Sequence, residues 1–283
     1  MSLPRTLILT TLAMIAFAGN SLLCRAALRG GGMDPASFTA VRLVAGALTL
    51  WVLVRLVRGQ GAGQGNAGSA LALFAYAICF SYAYVSLPTA TGALLLFAAV
   101  QATMIGYGLW AGERLRGRQT AGLVLAASGL LGLLLPGIAA PPVFASLLMI
   151  AAGAAWGVYS LRGRGAGAPL KVTAGNFLRA ALLAVPVALL MRDTAALSTT
   201  GWWCAVASGA LTSAIGYAIW YTALPALRAT SAATVQLSVP AIAAFGGVAF
   251  LGEGLSLRLV LASAAILGGI ALVLLGKTAA PRP

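Results

Sequence analysis

The sequence contains no histidine, and its aspartates and glutamates together number four among 283 residues. Metal sites of the His/carboxylate type are therefore excluded, as is magnesium chemistry carried by aspartate-rich motifs. The three cysteines, Cys24, Cys79 and Cys204, fall in separate apolar runs and read as small core residues rather than a disulfide framework. No metal and no cofactor is expected. Charged residues make up 8% of the chain, where a soluble domain carries roughly 25%. Water cannot solvate such a composition, and lipid can. What fills the chain instead is apolar: 61% hydrophobic residues and 35 glycines. A spanning helix needs about 20 apolar residues, so there is room for about ten, and glycine lets helices approach closely in a bilayer. The net charge of +14 would suit nucleic acid, but the basic residues sit between apolar runs rather than along an amphipathic helix. Membrane topology accounts for them, and no nucleic-acid partner is expected.

One long stretch occurs twice. It opens with Tyr84, Leu87 and Pro88, runs apolar to Gly112-Glu113, turns through Arg114 to Arg118 and runs apolar again to Leu135. The second copy opens with Tyr221, Leu224 and Pro225, reaches Gly252-Glu253 and continues to Leu275. The opening anchors are 137 residues apart, while Gly106/Gly246, Glu113/Glu253, Arg118/Arg258 and Gly129/Gly269 are each 140 apart. A repeat of hydrophobic hairpins at this period is the mark of a transporter made of two related halves.

Apolar runs predict helices over 6–28, 36–57, 69–87, 89–111, 119–135, 143–161, 170–191, 201–224, 229–251 and 256–276, numbered 1 to 10. Ala16-Phe17-Ala18 resembles a signal-peptidase site, but the repeat needs this segment as its first helix. With ten spans both termini share one side. That side carries twelve of the 18 basic residues, the other side carries four, and Arg42 and Arg179 fall inside helices 2 and 7. The positive-inside rule then puts both termini in the cytoplasm of a plasma-membrane (bacterial inner-membrane) protein. Five helices per half is an odd number, so the second half enters from the opposite side. The expected fold is an all-α integral membrane protein of ten transmembrane helices, built as two inverted five-helix repeats, 1–138 and 139–283.

The Tyr-x-x-Leu-Pro openings, the two Gly-Glu pairs, the Gly-rich helices 5 and 10, and the arginines early in helices 2 and 7 resemble the drug/metabolite transporter superfamily, in its EamA-type ten-helix branch. Helix 6 carries Ala155-Trp156-Gly157, as repeats of that family often do, whereas helix 1 has Ala18-Gly19-Asn20 in place of the usual Trp-Gly. The resemblance covers nearly the whole chain. It implies a solute exporter or permease with a central cavity between the halves. Within the branch, the chain also resembles the YddG-type aromatic amino-acid exporters.

Polar side chains are costly in lipid and usually face the bundle interior, which yields a short set of site candidates. Asn20 lies mid-helix 1, where it serves either a solute or an interhelical hydrogen bond. Gln101 lies mid-helix 4, on one face with Leu94 and Phe97, and its amide both donates and accepts. Gln236 lies four residues before Pro240, which is expected to kink helix 9 and free a carbonyl. Tyr76, Phe80 and Tyr84 recur every four residues and share one face of helix 3. Trp156 and Tyr159 fall mid-helix 6, and Tyr217, Trp220 and Tyr221 stripe helix 8. Trp202, Trp203 and Tyr84 sit near helix ends and suit an interfacial belt. The others are too central for one, and aromatic walls with a few amides are the usual form of a small-molecule site. Asn20, Tyr76, Phe80, Gln101, Trp156, Tyr159, Tyr217 and Gln236 are the expected substrate-binding residues. Arg42 with Glu253 at the outer end, and Arg179 with Glu113 at the inner end, are expected as gating pairs.

The function expected is export of small neutral or zwitterionic metabolites, amino acids first, by alternating access through a cavity lined by helices 1, 3, 4, 6, 8 and 9. A multidrug pump for cations would need a buried carboxylate, and all four acids lie at predicted helix ends; a nucleoside or other metabolite permease is the remaining alternative. An enzyme is not expected, because no acid/base pair can be assembled mid-membrane, and no filter-like sequence suggests a channel. Beyond solute and lipid no partner is implied, and a monomer or weak homodimer is expected.

Overall fold

A backbone that lies in lipid must satisfy its own amides, and a helix does so within one segment. The computed structural model describes residues 2–58, 64–112, 114–115, 117–135, 137, 140–163, 168–191, 198–227 and 235–275. Over these the protein is all-helical: α1 is Leu3–Leu28, α2 Pro35–Arg58, α3 Ala67–Tyr84, α4 Thr89–Trp110, α5 Gly117–Leu134, α6 Val143–Arg162 and α7 Pro169–Met191. They are followed by α8, Thr199–Ala226, then α9, Ser238–Leu251, and α10, Leu257–Leu275. All but α5 and α9 are long and apolar enough to cross a membrane by length and composition.

Local chemistry sets the helix starts. The Asp34 carboxylate accepts the Ser37 amide at 2.8 Å, and Pro35 opens α2 where a missing N–H costs nothing. Asn66 caps α3 by accepting from the Ser69 amide, and Ser198 caps α8 by accepting from the Gly201 amide. The repeated Gly-Glu pairs mark two helix ends. Gly112 after α4 and Gly252 after α9 have φ of 93° and 65°, a left-handed conformation that favours glycine and stops a helix.

Three features mark the regular run of helices. In helix 9 residues 229–234 lie outside the described residues, Val235 and Gln236 are helical, and a turn at Leu237 separates them from α9, which runs from Ser238. The break falls three residues before Pro240, which has no N–H to donate to the Gln236 carbonyl four residues back, as expected of a proline that interrupts a helix. α7 holds Pro186 in its interior. In α8, residues Ser208–Ile215 wind as a π-helix, a wide turn often found at functional sites.

The helices pair in a regular way. α5 lies along α10, α2 along α7, and α4 against α9. α3 packs on α6 as α1 packs on α8, and α4 on α6 as α9 on α1. The α5–α10 seam is backbone against backbone. A Cβ added at Gly122 would lie 2.6 Å from the Gly269 carbonyl oxygen, and one at Gly129 would lie 2.8 Å from Ala265 Cβ. α1, α3, α4, α6 and α8 converge on the middle of the bundle, and α5 and α10 stay outside it.

Candidate functional site

Where those five helices meet, their aromatic side chains form one connected wall. Tyr76, Phe80 and Tyr84 are buried on one face of α3, with ring centroids 5.3 and 4.7 Å apart in sequence. Tyr76 leans on Trp156 of α6 at 5.0 Å, and Trp156 meets Tyr217 of α8 at 5.0 Å and stacks on Tyr159 at 5.3 Å. Phe17 of α1 meets Tyr217 edge-on at 5.8 Å. Such ring pairs contribute about 0.5–1.5 kcal/mol each beyond burial.

Around a gap in this wall lies a cavity lined by Phe17, Asn20, Tyr76, Phe80, Leu96, Phe97, Trp156, Thr212 and Tyr217. Its free volume for a water-sized sphere is about 20 Å³, enough for about one water. A drug-sized ligand needs roughly 300–1,000 Å³, so the cavity is too narrow to hold one in this conformation.

The polar end of the cavity is a hydrogen-bonded network. Ser208 donates to Asn20 Oδ1 at 2.6 Å, and the Thr212 hydroxyl, which donates to the Ser208 carbonyl at 2.8 Å, lies 3.3 Å from the same amide oxygen. Asn20 Nδ2 donates to the Tyr76 hydroxyl at 3.1 Å. That hydroxyl also accepts from Arg42 Nη2 at 3.0 Å, while Arg42 Nε donates to Ser213 Oγ at 3.3 Å. The π-winding of α8 produces this arrangement: residues four and five apart share a face there, so Thr212 reaches Asn20 while Ser213 reaches Arg42. The guanidinium of Arg42 lies 5.1 and 5.0 Å from the ring centroids of Tyr76 and Phe80, a cation–π arrangement.

Polar ties close the bundle at both ends. At one end Arg25 Nε pairs with Glu253 Oε1 at 3.1 Å, and Arg25 Nη1 donates to the carbonyls of Tyr84 and Val85. Glu253 Oε2 accepts the Thr89 amide at 2.7 Å, and Arg29 donates to the Leu251 carbonyl. At the other end Arg162 donates to Ser69 Oγ at 3.2 Å and Asn66 Oδ1 at 3.0 Å, and the Asn66 amide donates to Asn176 Oδ1 at 3.0 Å. A second void of about 10 Å³ lies there, lined in part by Tyr159, Asn176 and Tyr221.

Of the eight expected binding residues, Asn20, Tyr76, Phe80, Trp156 and Tyr217 line the one cavity. Tyr159 lies behind Trp156, between the two voids. Gln101 is buried on α4, yet the cavity takes Leu96 and Phe97 from that helix instead. Gln236 is half-buried in the helical residues just before the Leu237 turn, and α9 gives the cavity no lining residue. Tyr84 is fully buried, with its hydroxyl on the Thr89 carbonyl, so it belongs to the core and not to an interfacial belt; Trp202 and Trp203 are exposed. One gating pair, Arg42 with Glu253, needs correction. Glu253 pairs with Arg25, and Arg42 points into the network instead. Arg179 donates to the carbonyls of Gln64 and Gly175, and Glu113 lies outside the described residues. Sequence reasoning missed Phe17, Ser208, Thr212 and Ser213. The hydroxyl cluster in the otherwise apolar Ser208–Ile215 stretch is the signal that would have found the last three.

An uncharacterized protein of Pseudomonas aeruginosa is 55% identical to this chain over 279 residues, covering 97% of each. The family model of the EamA-like transporter family matches residues 143–275. The chain belongs to the EamA-like transporter family. As an EamA-type member of the drug/metabolite transporter superfamily it is an integral membrane transporter. The threonine/homoserine exporter RhtA of Escherichia coli K12 is 35% identical to the transporter over 123 residues, 42% of this chain and 41% of that one. Its Salmonella typhimurium LT2 counterpart is 34% identical over the same length. A solved crystal structure overlays with a TM-score of 0.69 at 22% identity, covering 96% of this chain and 98% of that one, which is a likeness of fold.

Proposed function

We propose that this EamA-type transporter exports small neutral or zwitterionic metabolites, amino acids first among them, by alternating access. The observation that carries this reading is the mid-bundle cavity: aromatic walls, one amide, one threonine hydroxyl, and no acidic residue in its lining. Such a site suits a compact solute with one apolar and one polar end. A lone cation would lack the counter-ion it needs at that depth. The similarity to threonine/homoserine exporters supports amino acids as the class.

Alternating access is supported by the closure at both ends, each made of a few polar contacts that can part without unpacking the helices. It is also supported by the helix pairing. Exchanging α1–α5 for α6–α10 carries the α3–α6 contact into α8–α1 and α4–α6 into α9–α1, and leaves α2–α7 and α5–α10 unchanged. Two inverted five-helix halves, 1–138 and 139–283, would pair in this way. On this reading all ten helices cross the plasma membrane, both termini are cytoplasmic, the Arg25–Glu253 end faces outward, and the working unit is a monomer or weak dimer.

The test is efflux from proteoliposomes loaded with a panel of amino acids, nucleosides and cationic dyes. Efflux of neutral amino acids is expected. Efflux of dyes or nucleosides alone would overturn the assignment.

A further inference from the structure

Arg42 is 1% exposed, and its environment leaves a specific imbalance. Its Nη1 has no hydrogen-bond partner. Among the described residues the acids are Asp34, which caps α2, and Glu253, which pairs with Arg25. Neither neutralises the guanidinium. A buried cation without a counter-charge is costly, and among the described residues its balance is hydroxyls and aromatic faces.

The imbalance continues to the cavity. The Tyr76 oxygen accepts from both Asn20 Nδ2 and Arg42 Nη2. A phenol oxygen with two donors on it has its own O–H left to give, and Tyr76 lines the cavity. Accepting from a guanidinium strengthens a hydroxyl as a donor. The polar end of the cavity therefore offers a charge-polarised donor with an unneutralised cation behind it. Trp156 and Tyr217 line the same cavity with their rings.

We infer that the transporter recognises its solute by a carboxylate: the Tyr76 hydroxyl donates to a solute carboxylate, and Arg42, acting through Tyr76, supplies the positive potential that makes this anion the preferred ligand. The solute's ammonium group then faces the rings of Trp156 and Tyr217, where a cation is attracted. An amino-acid amide keeps the ammonium and size but loses the anion, so it is rejected. This rests on the amino-acid reading of the cavity and goes beyond it by naming the recognised group and the residues that select it. Arg42 is a positioning residue here, since it does not line the cavity.

The experiment compares counterflow of each transported amino acid with that of its amide, in proteoliposomes of the wild type, Tyr76→Phe and Arg42→Met. Tyr76→Phe removes one atom, and Arg42→Met keeps length without charge. Thermal melting of each purified protein reports folding separately. The wild type should prefer the acid by about tenfold or more, the worth of one charge-assisted hydrogen bond. Both variants should melt within a few degrees of wild type while that preference falls to near unity; Arg42→Lys should restore part of it. A purely structural role for Arg42 would lower the melting temperature and leave the acid/amide ratio unchanged, and that result overturns the inference. Equal wild-type flux of acid and amide would also overturn it, yet leave the exporter reading standing. Flux of neither would remove the exporter reading and this inference with it.

Discussion

Single residues divide by the geometry around them. Trp156 touches the rings of Tyr76, Tyr159 and Tyr217 and lines the cavity, so truncation to alanine would remove packing as well as a wall, at about 3–5 kcal/mol. Trp156→Phe keeps a ring in place. It is expected to retain the fold and weaken solute affinity about two- to tenfold, the worth of one good ring contact. Gln101 is the contrast, since it is buried but outside the cavity lining, and Gln101→Leu should leave affinity unchanged. Competition binding on the purified variants checks both, and a reversed order of effects would show that the cavity is not the site. Position along a helix can be counted from sequence, and the four-residue spacing of Tyr76, Phe80 and Tyr84 gave their shared face. The rotation of that face relative to neighbouring helices is set by packing across the bundle. That is why sequence alone does not separate Gln101 and Gln236, which are outside the cavity lining, from Asn20, which is in it. It is also why Arg42 was sought at a helix end, when three helices enclose it.

At the level of elements, the apolar runs were legible because lipid demands long uninterrupted segments, and most helix ends fall within a few residues of expectation. The π-stretch in α8 was not legible. Nothing in Ser-Gly-Ala-Leu-Thr-Ser-Ala-Ile requires it locally, and its residues are held by contacts with α1 and α2. The α5–α10 seam shows what the Gly-rich helices are for. Gly122 and Gly269 bring two backbones together, and a side chain at Gly122 would meet the Gly269 carbonyl and Leu272 Cβ within 3 Å. Both obstacles belong to fixed parts of a helix, so neither moves aside. Gly122→Leu is expected to lower stability by about 1–3 kcal/mol, seen as a lower melting temperature in detergent. Because α5 and α10 give no residue to the cavity, the folded fraction should keep the wild-type order of solute preferences. A change in that order without loss of stability would mean that the seam communicates with the site.

For the whole molecule the issue is which end opens and what drives it. Glu253 holds three segments together: it pairs with Arg25 of α1, accepts the Thr89 amide at the start of α4, and follows α9 directly. Glu253→Gln weakens both contacts, and losing a charged, partly buried hydrogen bond costs about 1–3 kcal/mol. The closed state should be depopulated by about tenfold, since 1.4 kcal/mol is a factor of ten. With the native cysteines replaced, a cysteine at Thr212 should then react faster with an impermeant thiol reagent added at the Arg25–Glu253 side. No change in rate would show that this cluster is not a gate.

The driving force follows from where the acids are. A carboxylate that couples protons to transport must be reached from both sides in turn, near the middle of the membrane. Asp34 is committed to the start of α2, and Glu253 is fixed at one end of the bundle by a guanidinium and an amide. Glu113 and Asp193 lie outside the described residues; by sequence they belong to a helix end and a loop. The ionisable side chains that line the cavity are Tyr76 and Tyr217, and no carboxylate is among the lining residues. A solute that enters as a zwitterion and leaves as one moves no net charge and exchanges no proton with the wall. Flux should therefore follow the solute gradient alone, with a direction set by supply inside the cell. In proteoliposomes with equal solute on both sides, an imposed pH gradient of either sign should produce no net accumulation. Accumulation that an uncoupler abolishes would show that some group of this protein does carry a proton, and Glu113→Gln would then be the first variant to examine.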